Sequence, residues 1–253
     1  MSESTTSFSR DGTTPGAYSR LALPVAMDAS GVIWTTAMFV SIRCYFVHKA
    51  PARELAELVD QDFADRLSAQ PGFVSYEFLD GGEGEAMTIS AFHEAAQAED
   101  SRALARRWVD EALSDFELTT LEAVHGQIKL THAIAARPLS AHPGAPTSFA
   151  AVRRYRLARG SVEELVKRAE EFAWQLETLP GFYSYQVIDC GDRDIIAVSR
   201  FRERTSAEQS DELAARFART KLQEFDLKRN EWFGGGVILV SREADAAPVG
   251  EQR

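Results

Sequence analysis

From Phe39 to His48 the chain reads FVSIRCYFVH, a run rich in β-branched and aromatic residues, which predicts a strand. Pro51 follows, and then Leu55, Val59, Phe63 and Leu67 recur at four-residue spacing, one apolar stripe of a helix that carries proline near its first turn. Pro71-Gly72 stops that helix and opens a strand from Phe73 to Asp80. The turn GGEG at 81–84 leads into a further strand, Glu85 to Phe92. Along it Met87, Ile89 and Ala91 share one face and Thr88, Ser90 and Phe92 the other. A sheet with one solvated face would be polar throughout one register, so both faces read as buried. A second helix carries Leu104, Trp108 and Leu113, and a last strand lies within Leu121 to Leu130.

The same order then returns. Pro71-Gly72-Phe73-Val74-Ser75-Tyr76 recurs as Pro180-Gly181-Phe182-Tyr183-Ser184-Tyr185, an offset of 180 − 71 = 109. That offset also carries Asp80 to Asp189, Ser90 to Ser199, Phe92 to Phe201, Trp108 to Phe217 and Gly126 to Gly235. The second set reads as a strand from Phe149 to Leu157, then a helix opened by Ser161 and striped by Leu165, Ala169, Phe172 and Leu176. Strands at Phe182 to Asp189 and Asp194 to Phe201 follow, with a helix through Leu213, Phe217 and Leu222 and a strand within Trp232 to Val240. The fold class expected is therefore α+β: two tandem ferredoxin-like βαββαβ repeats, whose bare sheet faces pack together as a single-chain α+β barrel. The boundaries expected are an N-terminal extension at 1–38, repeats at 39–132 and 149–241, a Pro/Ala linker at 133–148 and a tail at 242–253. The extension reads as loose, docking near Val32 and Trp34.

Composition narrows the function classes. The net charge of -10 makes a nucleic-acid partner a poor reading. Two cysteines, Cys44 and Cys190, without a C-x-x-C, give neither a disulfide framework nor a zinc site. The polar N-terminus lacks a secretory pattern, and the longest largely apolar run, Val32 to Val47, contains Arg43 and is too short to span a bilayer. A cytoplasmic protein without a membrane partner is the expectation.

The five histidines, His48, His93, His125, His132 and His142, are scattered, with no H-x-H or H-E-x-x-H. Gly234-Gly235-Gly236 precedes a strand rather than a helix, so it lacks the helix N-terminus a pyrophosphate uses and reads as a bend or bulge. No G-x-S-x-G nucleophile elbow is present.

The P-G-F-x-S pattern at the second strand, the aromatic ending the third, and helices opening Ala98-Glu99-Asp100-Ser101 and Ala207-Glu208-Gln209-Ser210 resemble the antibiotic biosynthesis monooxygenase family. In organisation the chain is similar to its fused members, the ring-opening oxygenases of jadomycin, gilvocarcin and kinamycin biosynthesis. The resemblance implies a dimeric-α+β-barrel-type fold and oxygenation of an aromatic, angucycline-type polyketide with dioxygen. It implies no tightly bound metal or haem, and admits reduced FAD as a diffusible co-substrate from a separate flavin reductase. A homodimer is compatible with it. Where haem-degrading members place a helix histidine, this chain has Asp100 and Gln209, and similar tandem chlorite dismutases take an axial histidine from a second half that here contains none. The Asn and Trp of the single-repeat anthrone oxygenases are replaced by Thr88 with Phe92 and Ala197 with Phe201. A polyketide cyclase and a non-catalytic ligand-binding barrel are the alternatives on the same scaffold.

Oxygenation without a metal requires an ionised phenol or carbanion, a group that stabilises it, and exclusion of water. His48 and His93 are the candidate bases, because histidine changes charge near neutral pH, and Arg43 or Arg153 the candidate phenolate stabiliser. The expected pocket lies between sheet and helices. Its walls are drawn from Phe63, Thr88, Ser90, Phe92, Trp108, Trp174, Ser199 and Phe201, with Tyr76 and Tyr185 bonding a quinone oxygen. One working pocket, in the first repeat, is expected.

Overall fold

The computed structural model describes residues 25–27, 33–35, 38–134, 146 and 148–242; Val32, most of the proposed linker with His142, and the tail beyond 242 lie outside the described residues. Strands β1 (Val25–Met27) and β2 (Ile33–Thr35), the latter containing Trp34, pair as a separate antiparallel ribbon. Next come β3 (Phe39–Val47), α1 (Ala52–Leu58), a π-helical turn at Val59–Phe63, α2 (Ala64–Ser68), β4 (Phe73–Gly82), β5 (Glu85–Phe92), α3 (Ala95–Ala112) and β6 (Leu118–Ala133). The second run is β7 (Ser148–Arg156), α4 (Val162–Glu177), β8 (Phe182–Asp189), β9 (Asp194–Phe201), α5 (Arg204–Lys221) and β10 (Lys228–Arg242).

Helix starts follow local chemistry. At α4 the Ser161 hydroxyl accepts from the Glu164 amide at 3.2 Å while the Glu164 carboxylate accepts from the Ser161 amide at 3.0 Å, a reciprocal cap that satisfies two orphan donors. The first helix is less regular, and its spacing shows why. Leu165, Ala169, Phe172 and Leu176 follow a 4-3-4 rhythm that stays on one α-helical face. Leu55, Val59, Phe63 and Leu67 are strictly four apart, which drifts by about 40° per step on an ideal helix. The π-helical turn widens the coil at Val59–Phe63, and all four side chains reach the core.

β3 to β10 form one closed antiparallel barrel in the order β10-β4-β5-β3-β6-β8-β9-β7. Each run supplies four adjacent strands, and the runs meet at two seams, β6 with β8 and β10 with β4. β6 and β10 are long because each pairs inside its own run and then continues across a seam; this is why they exceed the strands expected from the sequence. Gly126 and Gly235 mark those crossings. A Cβ on Gly126 would lie 2.5 Å from the Asp189 carbonyl oxygen, and one on Gly235 2.8 Å from that of Asp80. The glycine triplet thus serves a close approach of backbones; the register shifts of β10 fall elsewhere, at Arg229/Glu231 and Val237/Leu239.

Three apolar cores result. Val40, Ile42, Met87, Ile89, Ala91, Val152, Ile188 and Val198 fill the barrel interior. α1, α2 and α3 cover the outer face of the first four strands, burying Phe63, Phe73, Tyr76, Phe92 and Trp108. α4 and α5 cover the second four over Phe172, Phe182, Tyr185, Phe201 and Phe217. Both faces of β5 are buried, as its alternation predicts: Met87, Ile89 and Ala91 inside the barrel, Thr88, Ser90 and Phe92 outward, beneath the helices. Among the described residues no helix is long and apolar enough to cross a membrane.

Candidate functional site

Arg43 projects from the middle of β3, opposite Thr88 of β5, into the layer beneath α3. It is only 4% exposed. The hydrogen bond of its guanidinium is to Ser101 Oγ of α3 at 3.2 Å, and among the described residues no carboxylate forms an ion pair with it. Burial holds its pKa below the usual arginine range, and Arg102 adds repulsion in the same direction. It stays charged all the same, because the delocalised guanidinium is not deprotonated in proteins. The Glu99 carboxylate nearby is exposed and committed to Arg102 at 2.8 Å. One row along the sheet, Ser41 and Ser90 face each other across β3 and β5, both fully buried, and neither hydroxyl has a hydrogen-bond partner. Leaving such donors unmet costs about 1–3 kcal/mol each.

Around this polar cluster stand Tyr45, Phe63, Tyr76, Phe78 and Trp108. The Phe63 ring lies 4.9 Å from Trp108 and 5.8 Å, edge-on, from Tyr76. Burial raises the phenol pKa of both Tyr45 and Tyr76, so both remain protonated donors. The Trp108 indole N–H donates to Asp62 Oδ2 at 2.8 Å, which ties α3 to the π-helical turn. The open chamber expected here is not met. The free space is about 20 Å³, enough for a water molecule or two.

The second run repeats the arrangement with one decisive change. Arg153 of β7 lies opposite Ala197, is 1% exposed, and donates to Ser210 Oγ at 2.6 Å, as Arg43 does to Ser101. It also reaches Ser199 Oγ at 3.1 Å and Asp211 Oδ1 at 3.0 Å. Arg229 adds a second cation to Asp211 at 2.8 Å. Burial alone would raise the Asp211 pKa; hydrogen bonds from Arg229 and Arg153 outweigh it and hold the carboxyl below its usual range. Aromatic packing is equivalent, with Phe172 5.1 Å from Phe217 and 5.4 Å from Tyr185. Here the free space is about 40 Å³.

A much larger space, about 480 Å³, opens inside one end of the barrel, lined by Ile42, Cys44, Met87, Glu122, Arg154 and Phe233. Arg154 binds Asp194 through two nitrogens, at 2.8 and 2.5 Å, and also pairs with Glu122 of the other run. A second network in the interior joins Arg200 to Glu77 at 2.7 Å and to Gln186 at 2.9 Å. Both networks escaped the sequence reading. The signal was a charge at an inward register position of an otherwise apolar strand: Glu77 between Tyr76 and Phe78, Arg200 between Ser199 and Phe201.

The structure does not bring the two candidate bases together. His48 is exposed just past β3, its Nε2 2.9 Å from Thr119 Oγ1, five residues and about 17 Å along the strand from Arg43. His93 lies beyond the opposite end, one residue past the Phe92–Phe39 pair and about 17 Å from the Arg43 level. Trp174, expected as a wall, is 63% exposed on the outer face of α4 and meets the His132 ring edge-on. Phe63, Tyr76, Thr88, Ser90, Phe92 and Trp108 do gather with Arg43 beneath the first helices, and Tyr185, Ser199 and Phe201 with Arg153 beneath the second.

No family model matches the chain, and no curated protein matches it significantly. Solved structures do share its fold. A candidate monooxygenase from Fusobacterium nucleatum matches at a TM-score of 0.57 and 6% identity, covering 83% of this chain and 96% of that one. An anthrone oxidase-like protein matches at 0.53 and 12%, covering 84% and 96%. A variant chlorite dismutase from Candidatus Nitrospira defluvii matches at 0.54 and 11%, covering 79% and 90%. At these identities the likeness is one of fold.

The residues present do not fit the haem of the chlorite dismutase and haem-degrading resemblance. Asp100 and Gln209 are exposed, the neighbouring side chains turned to the sheet are Ser101 and Ser210, and the second run has no histidine. Arg153, Tyr185 and Phe217 occupy the layer where a macrocycle would have to lie. Among the described residues no cluster of three or more His, Cys, Asp or Glu could hold a metal ion.

Proposed function

We propose that the protein is an oxygenase acting on an ionised polycyclic phenol or hydroquinone of the aromatic polyketide, angucycline type, with ring opening as the further outcome. The observation that supports this is Arg43: a buried cation that, among the described residues, has no carboxylate paired with it, beside two unmet hydroxyls and against an aromatic wall. A buried guanidinium left without an anion is costly, and a phenolate laid against Phe63 and Trp108 supplies the missing charge. Holding the substrate ionised is the chemical requirement of the reaction. A carbanion passes one electron to dioxygen, the pair couples to a peroxide at that carbon, the peroxide takes up a proton, and loss of water leaves a carbonyl. One oxygen atom enters the product and the other leaves as water. Arg43 stabilises the ionised substrate without a nearby base, and this reading assigns no step to His48 or His93. With about 20 Å³ free beside Arg43, substrate entry requires the Phe63 and Trp108 side chains to move apart. Neither haem nor metal is assigned a role; reduced FAD from a partner reductase is the diffusible co-substrate of the ring-opening form.

Dioxygen uptake with an aromatic hydroquinone, with and without reduced flavin, tests the proposal. Uptake coupled to oxygenated product is expected, with kcat/KM reduced about 100-fold in Arg43→Met and unchanged in His48→Ala and His93→Ala. Product formed equally well without dioxygen would make the protein a cyclase. The barrel cavity of about 480 Å³ favours a second reading, a ligand-binding barrel without catalysis. Tight binding with no turnover under either condition is its signature.

A further inference from the structure

Arg43 and Arg153 hold the same place. Each sits opposite the residue two before a buried serine, Thr88 before Ser90 and Ala197 before Ser199. Each donates to a serine hydroxyl at the same turn of its covering helix, Ser101 or Ser210, and that hydroxyl itself donates to a carbonyl three residues back, Ala98 at 2.7 Å or Ala207 at 2.6 Å. The residue after that serine differs in sign: Arg102 in α3, Asp211 in α5. In the second run the Asp211 carboxylate lies on Arg153 Nε at 3.0 Å, and the orphan hydroxyl is satisfied too, because Arg153 donates to Ser199. In the first run Arg102 turns to Glu99, and among the described residues Arg43 has no anion and the Ser90 hydroxyl no partner.

We propose that Asp211 is a built-in occupant: its carboxylate fills in the second run the place that the anionic group of a ligand fills in the first. The inference rests on the reading of the Arg43 cluster as the ligand site and goes further, in two ways. It places the recognised group as an anion that meets Arg43 through an oxygen, as Asp211 meets Arg153 through Oδ1, with Arg102 close by and an aromatic body attached; a phenolate and a carboxylate both have this chemistry. It also makes the second run a latent site of the same chemical class, closed by a tethered carboxylate and framed by two guanidinia, Arg153 and Arg229. A tethered anion competes at high effective concentration, so a free ligand does not displace it.

Calorimetric titration of the full chain with 2-naphthoate and its neutral isostere 2-naphthamide tests this without any turnover. The wild type is expected to bind one equivalent of naphthoate at least tenfold more tightly than the amide, and Arg43→Met to lose that preference. Asp211→Ser is expected to bind two equivalents. Arg102→Asp places a carboxylate beside Arg43 on a partly exposed helix face, so it folds whether or not Asp211→Ser does; it is expected to bind naphthoate at least tenfold more weakly and to melt higher. Equal binding of naphthoate and naphthamide, or undiminished binding in Arg102→Asp, overturns the inference. Naphthoate bound as described with no dioxygen uptake from any hydroquinone would remove the oxygenase reading and leave this one standing. Dioxygen uptake by a wild type that does not discriminate naphthoate from naphthamide would do the reverse.

Discussion

Two arginines separated by a single carboxylate illustrate what burial does to a charge. Arg153 is matched by Asp211, Ser199 and Ser210, whereas among the described residues Arg43 has only Ser101. Replacing a buried cation that lacks an anion with an apolar side chain of similar length is neutral or stabilising, whereas removing one partner of a buried pair costs about 3–5 kcal/mol. Asp211 is about one-third exposed, so that figure is discounted for solvent. Urea unfolding is expected to show Arg43→Met at or above wild-type stability and Arg153→Met lower by about 2 kcal/mol. A fall in Arg43→Met as large as that in Arg153→Met would mean that Arg43 has a structural anion after all. Acid reports on the same pair. Because the Asp211 carboxyl is held below its unfolded value, its contribution is present above about pH 4 and lost as pH falls through the folded value. Stability of Asp211→Asn, followed from pH 6 to 3, is expected to decline less steeply than that of the wild type. The difference between the arginines was not legible in the sequence, which offered Arg43 and Arg153 as equals. What separates them is the residue after the helix serine, Arg102 or Asp211, on a helix whose rotation over the sheet the pattern of apolar residues does not specify.

At the level of elements, the repeated strand and helix pattern fixed most of what was found. Six of the eight barrel strands lie within two residues of the segments predicted, because alternation and Pro-Gly punctuation are local signals. β6 and β10 ran longer, since their extension depends on partners from the other run. The π-helical turn had a faint signal: four apolar residues strictly four apart sweep about 120° of an ideal α-helix, about twice the arc of the 4-3-4 stripe of α4. Two elements invite direct tests. Trp108→Phe keeps the ring packing but loses the bond to Asp62, and is expected to cost about 1 kcal/mol in urea unfolding. Gly126→Ala and Gly235→Ala would each drive a methyl to within 2.5 and 2.8 Å of a backbone oxygen across a seam. Each is expected to lower stability by about 2 kcal/mol or more, and a neutral effect at both would show that the seams give way easily.

For the whole molecule, the barrel has one interior and two suppliers. Either run alone would expose two sheet edges and the apolar face carrying Ile42, Met87 and Ile89 or Val152, Ile188 and Val198. A single cooperative urea transition is therefore expected by both fluorescence and circular dichroism, and two separated transitions would contradict the shared core. The networks inside that core have a consequence for recombination. Glu77 and its guanidinium partner Arg200 come from opposite runs and are both sealed from water. A chimera that joined 39–133 of this chain to the second run of another barrel would entomb a carboxylate without its counter-ion, unless the donor also supplied an arginine at that inward position. The two runs are thus keyed to each other: their shuffling is restricted by one hidden pair, however alike the outlines of their folds.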